Sequence, residues 1–375
     1  MTMNVDTYAP DLAVKIMGKL LGADRKRIGT DATFDVISVS ATDSVEQMGS
    51  FTITVREHSP EPAHFAGGGK LFWLDNPLFE EANEVSIEMG YVNNRTFTFL
   101  GEITGLAASF PESGAPTLTI SGSSLQNRLR RQQVDKPFAN VTDSDIARKI
   151  AELMHLTVET DDTDITYSMV SPNNAHLFEF LKSRAKRIGY EFYVKEKKLY
   201  FRKPGYIKKL TPDLTLEWGR NLMSFSFNLS TGKMHAQTLV QGSATAHGGD
   251  KTELVAKTTA GSETVKMGDV SSSELAQSKF KDMTPILISE HDVANTKDAQ
   301  TCVKAHRDAK SLDFITANGS CIGNPQLIAG IVIGISGIGK RYSGPYYVVS
   351  ATHTIDANGY RTTFQAKRNA RNVTP

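Results

Sequence analysis

Two distant segments of the chain carry the same order of alternating strands and turns. The first, Val85–Ser121, reads VSIEMGYVNNRTFTFLGEITGLAASFPESGAPTLTIS, and the second, from Ile331, reads IVIGISGIGKRYSGPYYVVSATHTIDANGYRTTFQA. With Val85 aligned on Ile331, the alignment holds as far as Ile103 on Val349, and one residue is then lost in the turn. Few residues are identical, so the two segments share a pattern of strands rather than a sequence. The repeat predicts two similar β domains.

The first third of the chain follows the two-residue period of β-strands. Phe51–Val55 and Val85–Tyr91 alternate strictly between apolar and polar residues, which places the apolar side chains on one face. Asn93-Asn94 tolerates a positive φ and suits a hairpin turn, and Pro111–Gly114 suits the next turn. Short strands between such turns are typical of a barrel or sandwich.

A helical period then replaces the β period. Thr142–Asp145 has the form of a capping box and precedes an amphipathic helix. A second helix is predicted over Ala175–Ile188, with basic residues in its last turns and Gly189 as a left-handed stop. A hairpin is predicted over Tyr190–Phe201. Together these elements predict a compact α+β insert between Val134 and Pro204.

The β pattern returns in the last third of the chain. We expect residues 247–273, which are rich in Gly, Ser, Thr and Lys, to form a long mobile excursion. A helix is predicted over Lys297–Ser311. The remaining predicted strands are Leu222–Leu229, Gln237–Gln241, Ile331–Ile335, Tyr346–Thr354 and Arg361–Ala366.

Composition excludes several classes of protein. The chain has 42 Lys+Arg and 41 Asp+Glu among 375 residues, a balance that does not favour a dedicated nucleic-acid binder. Cys302 and Cys321 form no zinc-ligand spacing; two buried free thiols are favoured over a bridge, which stays open. We expect no membrane insertion and no signal peptide, and hence synthesis in the cytoplasm.

Candidate nucleotide and metal motifs have simpler structural interpretations. Gly334–Lys340 has the front of a phosphate-binding loop, but Arg341 follows where a magnesium-binding hydroxyl is needed, so a hairpin turn is predicted. Gly67–Lys70 lacks the upstream glycine. His58 and His64 form the closest histidine pair, and a solvated loop is favoured over a metal site there. We therefore predict no cofactor and no metal site.

The sequence also offers no catalytic group. Glu80-Glu81 and Asp161-Asp162 are adjacent pairs, whose side chains point apart in a strand or helix and make poor acid/base partners. His306 is expected to be packed or half-buried on a helix face. We predict no catalytic residue and no enzyme activity.

A basic region gives a weaker alternative. Arg128, Arg130 and Arg131, with the basic run Lys195–Lys209, could contact phosphates, and Tyr200, Phe201 and Tyr206 interleave with the run as in single-strand binders. The favoured interpretation is that the aromatic residues pack in a hairpin and the lysines are solvated.

Four separated segments resemble the phage late-control D proteins and the N-terminal half of VgrG proteins. HLFEFLKSRAKRIGYEFYVKEKKLYFRKP is similar to the family's helix and aromatic hairpin, with Leu181, Ala185, Gly189, Tyr190, Leu199 and Phe201 at the matching places. VTDSDIARKIAELMHL, GYVNNRTFTFLGEITGL and the last strands, from GNPQLIAGIVIGISG onward, also resemble family segments in the expected order. Ser123-Ser124 and His176 depart from the family, which usually has acidic residues there.

The resemblance implies a β-rich α+β fold with two tandem tube-like antiparallel β-barrel domains and an α+β insert between them. The implied domains are residues 1–130, residues 131–206 and residues 207–375, the last with the mobile excursion and a helix near 245–312.

The implied function is that of a baseplate hub of a contractile tail, in a phage, a tailocin or a bacterial injection system. Such a hub is a homotrimer that adapts a three-fold spike to a six-fold tail tube. Its implied partners are the tube hexamer, a separate spike protein and other baseplate or LysM-type proteins, with nucleic acid or cargo at most passing through the lumen. The alternatives are a tail-associated cell-wall hydrolase and a nucleic-acid-binding β module.

Overall fold

The computed structural model describes residues 9–21, 36–57, 71–232, 234, 236–245, 251–259, 261–280, 285–290 and 293–373. His58, His64 and Gly67–Lys70 lie outside these residues, as does part of the expected excursion. Within the described residues, strands joined by turns dominate the first and last thirds, and helices occur in the middle and again between residues 272 and 312.

Alternating apolar residues produce the strands of the first third. They are β1 (Pro10–Ile16), β2 (Lys19–Leu20), β3 (Val36–Ser44), β4 (Ser50–Arg56), β5 (Glu84–Tyr91), β6 (Asn94–Ser109) and β7 (Thr117–Ser124). In β4, Phe51, Ile53 and Val55 are buried while Thr52 is exposed, as the pattern predicts. Asn93 has a φ of 64° in the turn between β5 and β6, which confirms the predicted hairpin turn.

The insert contains the predicted helices and hairpin. Its elements are β8 (Phe138–Val141), α1 (Asp143–Leu153), β9 (Thr157–Thr160), β10 (Tyr167–Val170), α2 (Leu177–Ile188), β11 (Glu191–Lys195), β12 (Lys198–Arg202) and α3 (Gly205–Lys208). Thr142 and Asp145 form the capping box of α1. Gly189 ends α2 with a φ of 71°, the left-handed conformation that a residue without Cβ adopts at little cost.

The last third returns to strands. Its elements are β13 (Leu214–Glu217), β14 (Leu222–Leu229), β15 (Thr238–Thr245), β16 (Lys251–Lys257), β17 (Val270–Ser271), α4 (Ser272–Lys279), β18 (Ile286–Glu290), α5 (Thr296–Leu312), β19 (Ile315–Ile322), β20 (Val332–Ser336), β21 (Gly344–Asp356), β22 (Gly359–Arg368) and β23 (Ala370–Arg371).

The expected irregular excursion at 247–273 contains regular structure. β16 pairs antiparallel with β15, and β18 pairs parallel on the other side of β15, which makes a small separate sheet. β17 pairs with β23 close to the carboxyl end of the described chain. A composition rich in Gly, Ser and Thr is typical of a loop, but Thr and Val also suit strands once a partner strand is present, as in β16.

One sheet of 13 strands runs through both outer thirds of the chain. Its main order is β14-β19-β22-β21-β3-β4-β7-β6-β5-β1-β2, and β20 and β13 branch from β21. The chain is therefore β-rich with a large sheet in which antiparallel pairing predominates, as expected. Among the described strands, the pairing forms this continuous sheet, and an isolated bridge between Trp218 and Leu222 links the end of β13 to the start of β14.

The two halves of the sheet repeat the same strand order. The order β3-β4-β7-β6-β5 in the first half corresponds to β14-β19-β22-β21-β20 in the second. A β-bulge also recurs in the first strand of each half. β3 has a bulge between Val36 and Ser38 where it pairs with β4, and β14 has a bulge between Leu222 and Ser224 where it pairs with β19.

A second bulge fixes the alignment of the two long strands. In β6 it lies between Ile103 and Gly105, opposite β7; in β21 it lies between Val348 and Ser350, opposite β22. Matching the bulges places Ile103 on Val348, one residue away from the alignment by sequence. The difference arises because a bulge adds a residue that the alternation of side chains does not reveal. We call these two five-strand sets the first and second repeat unit.

The two repeat units join edge to edge through β21 and β3. Ser350–Ile355 of β21 pairs antiparallel with Val39–Ser44 of β3, so that the sheet continues without interruption. His353 of β21 is fully buried at this joint, and its ring stacks on Phe97 of the first unit with centroids 3.8 Å apart. Its Nε2–H donates to the Leu327 carbonyl oxygen at 3.0 Å, and Nδ1 accepts from the Tyr360 hydroxyl at 2.7 Å.

Separate apolar cores fill the two repeat units and the insert. One core extends over the first unit and includes Tyr360 from the second, a second lies within the insert, and a third lies within the second unit. A smaller cluster, with Tyr193, Tyr206 and Tyr347 among its members, packs the insert against the second unit.

A buried ion pair ties the insert to α5. Arg187 at the end of α2 donates to Asp298 through Nη1 at 2.8 Å and Nη2 at 2.7 Å, and both side chains are buried. Asp298 also accepts from the Tyr167 hydroxyl at 3.0 Å and the Ala294 amide at 2.9 Å. A buried carboxylate is tolerated here because several donors satisfy it.

We predict that Asp298→Asn destabilises the protein by about 3–5 kcal/mol, because it leaves the buried Arg187 charge without its counter-ion. The matched control is Asp164→Asn, which breaks the exposed pair between Asp164 and Lys297. Exposed pairs contribute roughly 0–1 kcal/mol. Denaturant unfolding of the two variants measures both effects, and equal small losses would contradict the assigned role of Asp298.

Candidate functional site

One face of the large sheet is covered by small, uncharged polar side chains, mostly hydroxyls. Residues that pair directly across strands share a face, so the strand registers assign the members of this face. They are Ser224, Ser226 and Asn228 of β14; Thr316, Asn318 and Ser320 of β19; Thr363 and Gln365 of β22; Ser350, Thr352 and Thr354 of β21; Ser38, Ser40 and Thr42 of β3; Ser50, Thr52 and Thr54 of β4; and Thr117, Thr119, Ser121 and Ser123 of β7. We call this surface the hydroxyl face.

The hydroxyl face continues across the joint between the repeat units. Thr42 and Thr352 lie on different units, and their Oγ1 atoms are 2.9 Å apart. Ser40 and Thr354 make a second contact of the same kind at 3.2 Å. The two units therefore present one polar surface rather than two.

A shallow concavity of about 300 Å³ lies on this face over the second unit and is lined by residues that include Ser224, Asn318, Thr352 and Gln365. The members of the hydroxyl face carry no charge. Among the charged residues in register with it, Arg56, Arg361 and Lys367 occur near strand ends, and Glu102, opposite Ser123, is buried and pairs with Arg128 and Arg131. A surface with many hydroxyls and no fixed charge stays hydrated and holds no ion or phosphate firmly. Such a surface suits the passage of another molecule along it better than tight binding or catalysis.

No residue of this face was predicted from the sequence as a functional residue. The signal was present as Ser and Thr at every second position, in SFTITVR of β4, TLTISGSS of β7 and LMSFSFNL of β14. Alternation assigns residues to one side of each strand, but only the strand order places those sides on a common surface.

The phosphate-loop motif is a hairpin turn, as predicted. β20 and β21 pair antiparallel from Val332 with Tyr347 to Ile335 with Gly344, and the motif spans the connection. Gly337 and Gly339 have positive φ values of 80° and 86°. A strand, not a helix, follows the motif, so no helix N-terminus faces its glycines.

Carboxylates accompany the candidate basic region. Arg128 and Arg131 contact Glu102 at 2.6 and 3.3 Å. Further pairs are Arg130–Glu179, Lys195–Asp43, Lys197–Glu84, Lys198–Glu159, Arg202–Glu159, Lys208–Asp161 and Lys209–Asp213. The charges that would attract phosphates are partly balanced locally, which disfavours a nucleic-acid interface.

The aromatic residues of the same region are packed, as expected for a hairpin. Phe201 is fully buried in the core of the insert, and Tyr206 is buried against Tyr347. Tyr200 stacks on Tyr193 with ring centroids 4.7 Å apart. None of the three presents an open face of the kind on which bases stack.

A second cavity, of about 530 Å³, lies where α2 and α5 of the chain approach β21. Its wall contains the carboxylates of Glu46, Glu191 and Asp308, several lysines and a larger number of apolar residues. Asp308 accepts from Thr264 and pairs with Arg307 at 2.7 Å. Burial raises the pKa of Glu191 to about 7, and Glu191 accepts a hydrogen bond from the Tyr347 hydroxyl.

The adjacent carboxylates of the sequence analysis are engaged elsewhere. Asp161 accepts from Lys208 and from the Lys203 amide, both at 2.8 Å. Asp162 pairs with Arg148. In the described part of the chain, no cluster of three or more His, Cys, Asp and Glu has the geometry of a metal site. Cys302 and Cys321 are both buried free thiols. His306 is half-buried on α5, as expected.

Solved structures with the same fold include phage tail proteins and a component of a type VI secretion system. The 43 kDa tail protein of prophage MuSo2 from Shewanella oneidensis is 15% identical, with a TM-score of 0.69 over 96% of this chain and 98% of that chain. The tail protein from Neisseria meningitidis MC58 is also 15% identical, with a TM-score of 0.62 over 96% and 97%. The E. coli c3393 protein, a component of the type VI secretion system, is 11% identical, with a TM-score of 0.54 over 90% and 76%.

The chain thus has the fold of these tail proteins, which agrees with the broader part of the resemblance found in its sequence. A family model described as the Alg8 N-terminal domain matches residues 26–357, and the chain belongs to that family. No curated protein matches the chain in sequence. No helix in the described residues is both long and apolar enough to cross a membrane.

We predict that the contributions of His353 and Glu191 to folding stability change with pH in opposite directions. Burial lowers the pKa of His353 to about 3, below its usual 6.5, so stability falls by roughly 1.4 kcal/mol per pH unit as pH drops through this range. The raised pKa of Glu191 makes its contribution present below pH 4.5 and lost as pH rises towards 7.

The unfolding free energy of the wild type minus that of His353→Gln should therefore decrease as pH falls below 6.5. The same difference for Glu191→Gln should decrease as pH rises from 4.5 to 7. Each variant serves as the control for the other, because a general loss of stability on substitution would not produce opposite pH dependences. Denaturant unfolding at several pH values measures both, and difference curves that are flat would contradict the assignments.

Proposed function

We propose that this protein is a structural, non-enzymatic hub in the baseplate of a contractile tail, either of a phage or tailocin or of an injection system. Three copies would form a ring that adapts a three-fold spike below to a six-fold tail tube above. The observation that carries the proposal is the repeat unit, which occurs twice in one chain with the same strand order, the same bulges and an edge-to-edge joint.

Two similar units per chain solve a problem of symmetry. A six-fold tube needs six comparable docking surfaces, and a three-fold spike needs three identical chains. Three copies of a chain with two repeat units supply three identical chains for the spike and six similar units for the tube. In this proposal residues 1–130 and 207–375 form the two tube-like barrel domains and residues 131–206 the insert; the separate apolar cores of these regions support the division.

The hydroxyl face supports a passage through the ring. Its side chains are small and uncharged, so they offer neither ion pairs nor broad apolar contacts that would retain a passing molecule. We assign this face to the lumen, through which cargo or nucleic acid would pass. The tail tube hexamer, a separate spike and other baseplate proteins would be the partners.

The alternative of a cell-wall hydrolase has less support. Such a reaction needs two carboxyl groups facing one site. In the cavity between α2 and α5, Glu191 has a pKa suited to proton transfer, but Asp308 is held by Arg307 and Thr264, and Glu46 is paired with Lys367. The fold similarity to tail proteins also favours a structural role.

We predict that the purified chain forms trimers of about three times its 41.0 kDa mass, because each chain has one unit at each end of its sheet available for a neighbour. Mass photometry measures the mass, and negative-stain imaging should show a ring with six similar lobes. A protein that stays monomeric at all concentrations, both alone and with tube and spike proteins, would falsify the proposal.

A further inference from the structure

Each repeat unit has one strand edge that corresponds to an edge in the joint between β21 and β3 but has no partner strand. In the repeat, β6 of the first unit corresponds to β21 and β14 of the second unit corresponds to β3. β6 pairs with β5 only up to Glu102, whereas β21 continues beyond its partner β20 and pairs with β3. Within the described residues, no strand pairs with the outer edge of β6 after Glu102, and the outer edge of β14 has no partner strand apart from an isolated bridge between Leu222 and Trp218.

Both free edges lack the usual protection against strand addition. Edge strands in soluble proteins commonly carry Lys, Pro or inward charges that prevent pairing with another chain. Residues 104–110 of the β6 edge read TGLAASF, and residues 222–230 of the β14 edge read LMSFSFNLS. Neither segment contains a charged residue or a proline. These edges are therefore open to a partner strand.

Side chains at the free edges are exposed where their counterparts at the joint are buried. Ala41 of β3 and His353 of β21 face each other at the joint and are fully buried. When the two repeat units are aligned by their bulges, Ala41 corresponds to Phe227, which is 38% exposed, and His353 corresponds to Ala108, which is also exposed. Phe110, the counterpart of Ile355, is 57% exposed. Burial of these apolar side chains by a neighbour would stabilise the assembly.

We propose that β6 of one copy pairs antiparallel with β14 of the next copy, in the register that β21 and β3 use within the chain. Transferring that register through the matched bulges places Gly105 opposite Ser230, Ala107 opposite Asn228, and Ser109 opposite Ser226. The proposal rests on the trimeric hub proposed above and identifies its interface. The contact is head-to-tail, since two different edges meet, and such a contact closes into a ring when its rotation allows.

This pairing makes the hydroxyl face continuous around the whole ring. Ala107 and Asn228 correspond to Thr352 and Thr42, whose hydroxyls meet across the joint at 2.9 Å. Leu106 would lie opposite Leu229 on the other face of the sheet, the face that carries the apolar cores. Each junction within the ring, inside a chain or between chains, would then have a polar inner side and an apolar outer side.

Disulfide trapping tests the register. Directly opposite residues in antiparallel strands lie about 4.5–5.5 Å apart at Cα, within the reach of a disulfide. We expect Ala107→Cys with Asn228→Cys to form covalent dimers and trimers under mild oxidation. The matched control, Ala107→Cys with Ser224→Cys, moves the second thiol four residues along the same face, roughly 13 Å away, and should not cross-link. Cys302 and Cys321 are buried and stay in both variants.

A mixture of the two single variants tests the head-to-tail arrangement. Ala107→Cys chains and Asn228→Cys chains should each stay uncross-linked alone and form covalent dimers when reassembled together. Native mass and circular dichroism are measured on the same samples. A trimer without the Ala107–Asn228 cross-link, or with equal cross-linking in the control, overturns the proposed interface and leaves the hub intact. A persistent monomer overturns the hub itself.

Charge substitution provides a second route should cysteine variants fold poorly. Ala107→Asp places one carboxylate in the interface and should weaken trimer formation about tenfold or more. Adding Asn228→Lys should restore it, because the two charges would face each other. Restoration by Ser224→Lys instead would contradict the register.

Discussion

The antiparallel pairing of β21 with β3 is the interaction on which the rest of the structure depends. Backbone N–H and C=O groups at a strand edge need partners, and here each repeat unit supplies an edge that the other completes. The buried imidazole of His353, stacked on Phe97 and held by Leu327 and Tyr360, fixes the joint on its apolar side. Hydroxyl contacts such as Thr42–Thr352 fix it on the polar side.

Local elements could be predicted from the sequence because short-range rules determine them. Thr142 and Asp145 define the start of α1, Gly189 the end of α2, and Asn93 the hairpin between β5 and β6. The repeat itself was also visible as a pattern of strands and turns, and the fold comparisons agree with the resemblance to tail proteins at the level of the fold.

The arrangement of these elements could not be predicted in the same way. The bulges at Ile103 and Val348 shift the two long strands by one residue relative to the sequence alignment, because an extra residue in a strand leaves no mark in composition. The pairing of β16 with β15 was missed since Gly, Ser and Thr suit loops as well as exposed strands. The hydroxyl face was missed because it is a property of strand order, and long-range pairing sets that order.

The insert and α5 add rigidity without taking part in the continuous sheet. The Arg187–Asp298 pair and the tyrosine cluster around Tyr347 connect them to each other and to the second unit. The members of the hydroxyl face are neutral, but Lys367, which is in register with this face near a strand end, pairs with Glu46 and lines the cavity beside α2 and α5. The insert and α5 therefore approach the sheet at that end of the strands.

The most direct test of the account is a cryo-electron microscopy reconstruction of the assembled particle. We expect three chains in a ring, with their six repeat units in one continuous sheet. Backbone density should connect Gly105–Ser109 of each copy to Ser226–Ser230 of the next. Hydroxyl side chains should line the central opening. A ring in which these edges remain apart, or in which the hydroxyl face points outward, would contradict it.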